Sequence, residues 1–204
     1  MTSIGDKAFS QCWALHSIVI PNSVTRIGNE VFSDCYALTN IIIPNSVTSI
    51  GQGAFTGCRA LSSITIPNSV IKMDGNPFVG WNGKLNILTT KFIYDNGVLF
   101  DEEKKKIIAY RRDDTSYKIL DSVTSIGISA FENCKSLSSI VIPDSVTSIE
   151  DFAFSGCGSL HNIVISSNVT SIGKSAFSYC DSLPQSIENN IIARFGNKVF
   201  EIEP

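Results

Sequence analysis

The sequence predicts a repeat solenoid: a curved, right-handed coil of the α/β type with a parallel β-sheet on one face and short helical turns or loops on the other. The main observation is a fixed period, because Cys12, Cys35 and Cys58 are 23 residues apart and three later cysteines keep the same spacing. A short fixed period means that each repeat buries its apolar face against its neighbours. Residues 1–204 are therefore predicted to form a single solenoid, with an inserted β-hairpin.

Each repeat begins with a short strand. Ile18 and Ile20 alternate with residues that face away from the core, which is the pattern of a half-buried strand. Pro21 ends the strand because proline cannot donate to a parallel ladder. The predicted strand cores are 18–20, 41–43, 64–66, 87–89, 117–119, 140–142 and 163–165. Equivalent strands about 4.8 Å apart form one parallel sheet.

The rest of each repeat returns the chain to the next strand. Val24 and Ile27 are expected in the core, and Gly28 is expected to permit a tight bend. Phe9 and Cys12 fit a helical turn, because positions three apart share one face. The phenylalanines predicted to stack as an interior spine are Phe9, Phe32, Phe55, Phe78, Phe131, Phe154 and Phe177.

Residues 91–116 are predicted to be an insertion, because the step between the strands on either side exceeds the period. Within it, 91–100 has the pattern of a β-hairpin with Asn96-Gly97 as its turn. Residues 106–110 follow as a further strand.

The repeat that precedes the insertion is disturbed. Met73, Pro77 and Trp81 stand where other repeats have isoleucine, alanine and cysteine. Local repacking beside an insertion and a dedicated site are both compatible with this pattern.

Residues 184–204 are predicted to cap the last coil, because an open sheet end invites aggregation. Two apolar runs, 191–195 and 198–202, flank Gly196-Asn197 and suggest a second hairpin. The chain's first residues already form the middle of a repeat, and we therefore expect it to be a piece of a longer protein.

Composition excludes several classes of function. The formal charge of −3 offers no electrostatic reason to expect nucleic acid or an anionic membrane surface as a partner. No apolar run approaches the roughly 20 residues that a membrane span needs. The two histidines, His16 and His161, lie on the first and last strands and cannot share a metal or a substrate. No phosphate loop, nucleophile elbow or carboxylate pair is present.

The six cysteines fall into two columns of three. Buried cysteine behaves as a small hydrophobe, and a ladder of reduced thiols is the preferred interpretation. In-register side chains point the same way, which is poor disulfide geometry, although neighbouring Cα atoms fall within disulfide range. Zinc sites prefer close pairs of ligands, and no C-x-x-C occurs. Partial disulfides and a metal site remain as alternatives.

The outward residues of the strands follow from the alternation. The first row comprises Val19, Ile42, Thr65, Leu88, Lys118, Val141 and Val164. The second comprises Ser17, Asn40, Ser63, Asn86, Ser116, Ser139 and Asn162. A contiguous apolar stripe flanked by small polar residues suggests a contact surface. Alternatively, the stripe reflects only the preference of strands for β-branched residues.

The pattern L-x-x-I-x-I-P-x-S-V-T-x-I-G-x-x-A-F-x-x-C, most complete in residues 38–58, 137–157 and 160–180, resembles the BspA-like leucine-rich repeats. This bacterial subclass has a 23-residue period, and the resemblance covers roughly residues 1–183. It implies a curved leucine-rich-repeat solenoid, a secreted or cell-surface location, and adhesion to host or other cell-surface proteins. The family has no shared catalytic residues to carry over.

We therefore expect a non-catalytic protein-binding or adhesion module that binds through the first row, without cofactor or metal. The partner is expected to be a protein, such as a host extracellular-matrix or cell-surface protein. Tyr94, Phe100 and Tyr110 of the insertion are predicted as a secondary contact. The alternative is a structural spacer or stalk that has no ligand of its own. An enzyme, the weakest hypothesis, would need a cleft near Trp81, Tyr94 and Tyr110.

Overall fold

The computed structural model describes residues 1–202 of the chain. They form two compact units, the first spanning Met1–Asp95 and the second beginning at Asn96. Each unit is a parallel β-solenoid, which confirms the predicted fold class. A typical coil contributes two strands: the predicted one, here called the front strand, and a shorter side strand.

The front strands of the first unit are β2 (Ser17–Val19), β4 (Asn40–Ile42), β6 (Ser63–Ile66) and β8 (Lys84–Ile87). Its side strands are β1 (Ser3–Ile4), β3 (Arg26–Ile27), β5 (Ser49–Ile50) and β7 (Lys72–Met73), which form one parallel sheet. The last strand of this unit is β9 (Phe92–Asp95).

The side strands add an element that the sequence pattern did not predict. Ile27 is fully buried, as expected. It lies on a strand that pairs with the preceding coil. The Thr25 N–H donates to Thr2 O at 2.8 Å and the Gly28 N–H donates to Ile4 O at 3.0 Å. The return segment is therefore a second sheet.

Glycine follows this isoleucine because the coils approach each other closely. A Cβ on Gly51 would lie 2.5 Å from Asn29 N, and one on Gly28 would lie 2.8 Å from Asp6 N. Neither glycine has a positive φ. The predicted role of Gly28 in a tight bend is therefore wrong. Glycine is required here because the neighbouring backbone leaves no room for a side chain.

The segment that contains the repeat phenylalanine is a run of turns hydrogen-bonded to the next coil. Alternate N–H groups of one coil, those of Glu30, Phe32 and Asp34, donate to the following coil at 2.8–2.9 Å. Glu30 and Asp34 have φ of 51° and 58°, a left-handed conformation that interrupts any regular helix. The turn segment is thus held to its neighbour much as a strand is.

Stacked aromatic rings fill the core beside this segment. In the first unit, successive ring centroids from Phe9 through Phe32 and Phe55 to Phe78 are 5.7, 5.8 and 6.1 Å apart. The Cys58 thiol donates to Phe32 O of the preceding coil at 3.1 Å. The cysteine therefore satisfies a buried carbonyl as well as filling space.

The disturbed repeat is two residues shorter than the others between its turn segment and its front strand. Ser63 pairs with Lys84, a step of 21 residues, so the strand core is Lys84–Ile87 and the predicted 87–89 is wrong. The buried Trp81 stands at the repeat cysteine position just before the deletion, and its Nε1–H donates to Leu61 O at 2.7 Å. A Cβ on Gly83 would collide with this ring.

The front strands of the second unit are β12 (Ser116–Lys118), β14 (Ser139–Val141) and β16 (Asn162–Val164). Its side sheet contains β10 (Val98–Asp101), β11 (Lys106–Tyr110), β13 (Ser125–Ile126), β15 (Ser148–Ile149) and β17 (Ser171–Ile172). The inserted strand β11 pairs antiparallel with β10 and parallel with β13. The insertion thus extends the side sheet.

Tyr110 of the insertion replaces a phenylalanine in the core of the second unit. Its ring centroid is 4.8 Å from that of Phe131, and the stack continues to Phe154 at 5.0 Å and to Phe177 at 5.3 Å. Its hydroxyl donates to Asp114 Oδ2 at 3.0 Å. Burial, and then this carboxylate, raise the pKa of Tyr110. The hydroxyl therefore stays protonated.

Helix α1 (Gln185–Phe195) and a 3-10 helix (Asn197–Val199) follow the last coil. The predicted second hairpin is therefore wrong. Apolar residues four apart, Ile187, Ile191 and Phe195, are the helical signal, and Ile191 packs in the core. Within residues 1–202, neither helix has the length and apolar character that crossing a membrane requires.

One ion pair links the insertion to a coil two steps away. Lys106 Nζ lies 2.6 and 2.8 Å from the two carboxylate oxygens of Glu150. Glu150 stands where Gly127 does in the neighbouring coil, and a Cβ on Gly127 would lie 2.9 Å from Lys106 Cε. The same carboxylate accepts from the Ile128 N–H at 3.1 Å.

Replacing Glu150 with glutamine is expected to lower the free energy of unfolding by about 1 kcal/mol, because the pair is partly exposed. Urea unfolding at low and high salt measures this change, and the difference should shrink in 1 M NaCl because salt screens the pair (Debye length about 3 Å). Glu103→Gln is the control, since Glu103 pairs only at the surface with Lys105. Equal effects of the two substitutions would contradict the bridging role.

Candidate functional site

The outward side chains of the front strands form an exposed surface in each unit, here called the strand face. In the first unit, β2 and β4 pair in register, so Val19 lies beside Ile42. These two side chains are 89% and 72% exposed. Nothing in the described residues of this unit covers them. Two neighbouring, solvated aliphatic side chains on paired strands offer a contact for an apolar group.

The shortened repeat changes the remainder of this row. Thr65 lies beside Asn86, so the predicted neighbour Leu88 is displaced two residues along the strand direction. Leu88 is nevertheless 57% exposed, and its N–H donates to Ile66 O at 3.0 Å. The predicted stripe is thus wrong in register here, because the pattern was extended at a constant period through a deletion.

The flanking polar row is also out of the predicted register after the shortened repeat. Ser17 pairs with Asn40 as predicted, but the neighbour of Ser63 is Lys84 and not Asn86. Asn86 Nδ2 instead donates weakly to Thr65 Oγ1 at 3.4 Å.

The front sheet of the first unit is interrupted between β4 and β6. The strands β2 and β4 form one pair and β6 and β8 another, whereas the side sheet runs on through β5. A cavity of about 340 Å³ lies at this opening. Its lining includes Ile42 and Leu88 as aliphatic walls, with Asn40, Asn45 and Thr65 as polar groups. No charged side chain lines it among the described residues.

The second unit has an uninterrupted front sheet. Lys118 pairs with Val141, and Val141 with Val164, as the constant period predicts. Ser116, Ser139 and Asn162, the flanking row, are likewise in register.

Val141 and Val164 are 52% and 73% exposed. A second cavity, of about 470 Å³, is lined by Lys118, Val141, Asp121 and Asp144 among others. This part of the strand face combines aliphatic groups with charges of both signs.

Two of the three residues predicted as a secondary contact are buried. Phe100 and Tyr110 are 1% and 4% exposed and belong to the core of the second unit, so both residues are corrected to structural roles. Only Tyr94, which is 37% exposed in the first unit, can meet a partner. Trp81 is also buried, at 2% exposed. Two of the three side chains proposed for an enzymatic cleft, Trp81 and Tyr110, are therefore inaccessible.

The six cysteines are free thiols, and four of them donate to the backbone. Four of them, Cys35, Cys58, Cys157 and Cys180, are buried and donate to the phenylalanine carbonyl of the preceding coil at 3.1–3.2 Å. Cys12 and Cys134 are partly exposed. Within residues 1–202, no group of three or more His, Cys, Asp and Glu side chains is arranged to hold a metal ion.

Burial controls the chemistry of the inner thiols. It is the main cause that raises the pKa of Cys35, and it raises the pKa of Cys58 to about 12. A thiol with a raised pKa remains protonated and is a poor nucleophile.

The histidines are exposed, and each binds its own turn. His16 Nδ1 donates to Ala14 O at 2.7 Å and His161 Nδ1 donates to Ser159 O at 3.0 Å. They lie in different units and serve equivalent local roles.

Sequence reasoning missed a group of exposed aromatic residues at the end of the turn segments. Trp13 and Tyr36 directly follow the repeat cysteine and are 61% and 41% exposed. The Arg59 guanidinium lies 5.0 Å from the centroid of the Tyr36 ring. The available signal was an aromatic residue at a position that is charged, polar or glycine in other repeats, but these aromatic residues do not recur in every repeat.

The family model for the BspA type leucine-rich repeat region matches residues 1–94 and 108–202, in six copies. The gap between the two matches lies in the insertion. No curated protein matches the sequence.

Solved structures with similar folds come from several bacteria. The pneumococcal vaccine antigen PcpA is 25% identical, with a TM-score of 0.72, over 90% of this chain and 47% of its own. A leucine-rich repeat protein from Eubacterium ventriosum is 25% identical, with a TM-score of 0.74, over 89% and 56%. A leucine-rich cell surface protein from Faecalibacterium prausnitzii is 31% identical, with a TM-score of 0.60, over 96% and 66%. This chain therefore spans about half to two thirds of the length of these structures.

The raised thiol pKa values predict a loss of stability in alkali. Below about pH 8.5 the thiols are protonated in both states; above it the unfolded chain ionises first, so the free energy of unfolding falls as pH rises toward the folded pKa. Urea unfolding between pH 8 and 10.5 measures the slope, which should be shallower in the Cys35→Ala, Cys58→Ala double variant. Iodoacetamide should label Cys12 in the native protein well before Cys58. Equal labelling rates for these two thiols would contradict the prediction.

Proposed function

We propose that this chain, which belongs to the BspA-type leucine-rich repeat family, is a non-catalytic protein-binding and adhesion module that binds through its strand face. The observation that carries the proposal is the set of solvated aliphatic side chains on the front strands. Extended sheet surfaces of repeat proteins commonly serve as binding surfaces, because a row of equivalent positions can contact a partner over a long distance.

The two units offer surfaces of different chemistry. In the first, Ile42 and Leu88 border an uncharged cavity, which suits an aliphatic or aromatic side chain of a partner. In the second, Lys118, Asp121 and Asp144 lie around Val141, which suits a partner with charges of both signs. Affinity would be distributed over several such contacts, with Tyr94 as an additional one.

The named structural neighbours support a location outside the cell. One is described as a vaccine antigen and another as a cell surface protein. On this likeness we propose that the chain is part of a bacterial surface or secreted protein. The proposed partner is a protein such as a host extracellular-matrix or cell-surface protein.

A structural spacer or stalk is the alternative function. It is favoured by the β-branched character of the exposed row, since valine and isoleucine stabilise strands without any ligand. A spacer would show no partner of its own.

The test replaces Val19, Ile42, Val141 and Val164 with lysine. Each side chain is exposed, so the fold should persist, while charged side chains on the strand face should weaken partner binding at least a hundredfold, as expected for the loss of several apolar contacts at about 1 kcal/mol each. Surface plasmon resonance against a panel of purified extracellular-matrix and epithelial surface proteins measures the affinity.

A matched control carries the same added charge elsewhere. The control replaces Ser3, Thr25, Thr147 and Ser171 with lysine. These four residues lie on or next to the side strands and are exposed in the native protein. Binding that survives in the control and is lost in the test variant supports the strand face. Equal binding by the two variants would overturn it, and a native chain that binds no protein in the panel would favour the spacer.

A further inference from the structure

A pocket of about 520 Å³ lies on the turn segments of the second unit, away from the front strands. Its most prominent side chain is Tyr179, which is 54% exposed. Gly156 and Gly158 of the preceding coil also line it, so that no side chain rises between the backbone and the pocket at these two positions. The result is an aromatic ring beside an accessible stretch of main chain.

Tyr179 occupies a position that the fold makes unfavourable for a large residue. The equivalent residues in other coils have positive φ, and they are Gln11, Asp34, Gly57, Gly80, Asn133 and Gly156. Tyr179 has a φ of 55°. Left-handed backbone is uncommon for bulky residues, and glycine adopts it without strain. The aromatic ring at this position thus goes against the local backbone preference.

The polar groups of the pocket include both donors and acceptors. Glu132 and Asp181 supply carboxylates, and Lys135 supplies an ammonium group. The side chain of Asn133 also lines the pocket, and a Cβ on Gly156 would lie 2.5 Å from its Oδ1. Glycine at 156 therefore leaves room for this amide.

We propose that this pocket binds a neutral saccharide. The Tyr179 ring would stack on the C–H face of a pyranose, and the carboxylates, amide and ammonium group would hydrogen-bond its hydroxyls, which both donate and accept. An anionic ligand would be repelled by two carboxylates, and Lys135 offsets one of these two charges, so that the lining has little net charge to attract a cation. A purely apolar ligand would leave this polar rim desolvated without partners. The pocket is independent of the strand face, so the proposal does not rest on protein binding.

The experiment uses the full chain and oligosaccharides of neutral hexose and N-acetylhexosamine units. Saturation-transfer NMR detects weak binding of the soluble sugars, and an array of the same glycans attached to a carrier protein detects multivalent binding. Binding in both formats identifies the saccharide itself as the ligand; binding only to the conjugate would identify a glycoprotein context for the same chemistry. No binding to any member in either format overturns the proposal.

The decisive variant is Tyr179→Gly. Because glycine occurs at this position in other coils, the variant should fold. Its unfolding temperature should be no lower than that of the native protein. Loss of the ring should reduce the affinity about tenfold or more. Tyr179→Phe keeps the ring and should retain most of the binding.

Tyr36→Ala is the matched control, because it removes an exposed tyrosine from the turn segments of the first unit. It should bind sugars as the native chain does. Unchanged binding by Tyr179→Gly, or an equal loss in Tyr36→Ala, would show that the ring in this pocket is not the recognition element.

Discussion

The close approach of one coil to the next is the constraint on which the rest of this structure depends. At the end of each side strand the backbones are so near that a single Cβ on Gly51 would lie 2.5 Å from the neighbouring main chain. That proximity permits hydrogen bonds between coils on the turn segment as well as in both sheets. It also sets the ring separation of 5.0–6.1 Å in the phenylalanine stacks of the two units. Sheet, turn and core therefore share one repeat distance.

Departures from the repeat are tolerated where a larger group restores the lost contacts. Trp81 replaces a cysteine and covers a two-residue deletion, and its indole N–H satisfies a carbonyl of the preceding coil. Tyr110 continues an aromatic stack from an inserted strand, and Asp114 accepts from its hydroxyl. Glu150 replaces a glycine, and the Lys106 side chain passes Gly127 to reach its carboxylate. In each case the substituted side chain has a polar group, and a partner for that group is present.

Much of the fold was predictable because the same buried contacts recur in successive coils and require the same residue types. Most of the front strands and the buried phenylalanines follow from the spacing together with the alternation of apolar residues. The side strands were missed because two residues give too short a pattern to show alternation, and the C-terminal helix was missed because Gly196-Asn197 between apolar runs favours a hairpin. The register error at Leu88 has a different origin: a deletion in the chain is invisible when only residue types at a fixed period are compared. On the site, exposure of Val19, Ile42, Val141 and Val164 was predictable from alternation, whereas the burial of Phe100 and Tyr110 depends on tertiary packing.

The same constraint determines where function can lie. Buried positions that pack against the neighbouring coil are mostly apolar or glycine, and the exceptions Trp81 and Glu150 need a polar partner of their own, so these positions have little freedom to suit a ligand. Front-strand residues that point outward, such as Lys118, are free of that restriction, and so are residues just after the repeat cysteine, such as Trp13 and Tyr36. Tyr179 differs from these, because its backbone conformation favours glycine and yet it carries a large, exposed ring. A bulky residue held in this backbone conformation is consistent with a functional constraint, and the polar groups that line the pocket beside its exposed ring support the binding role proposed above.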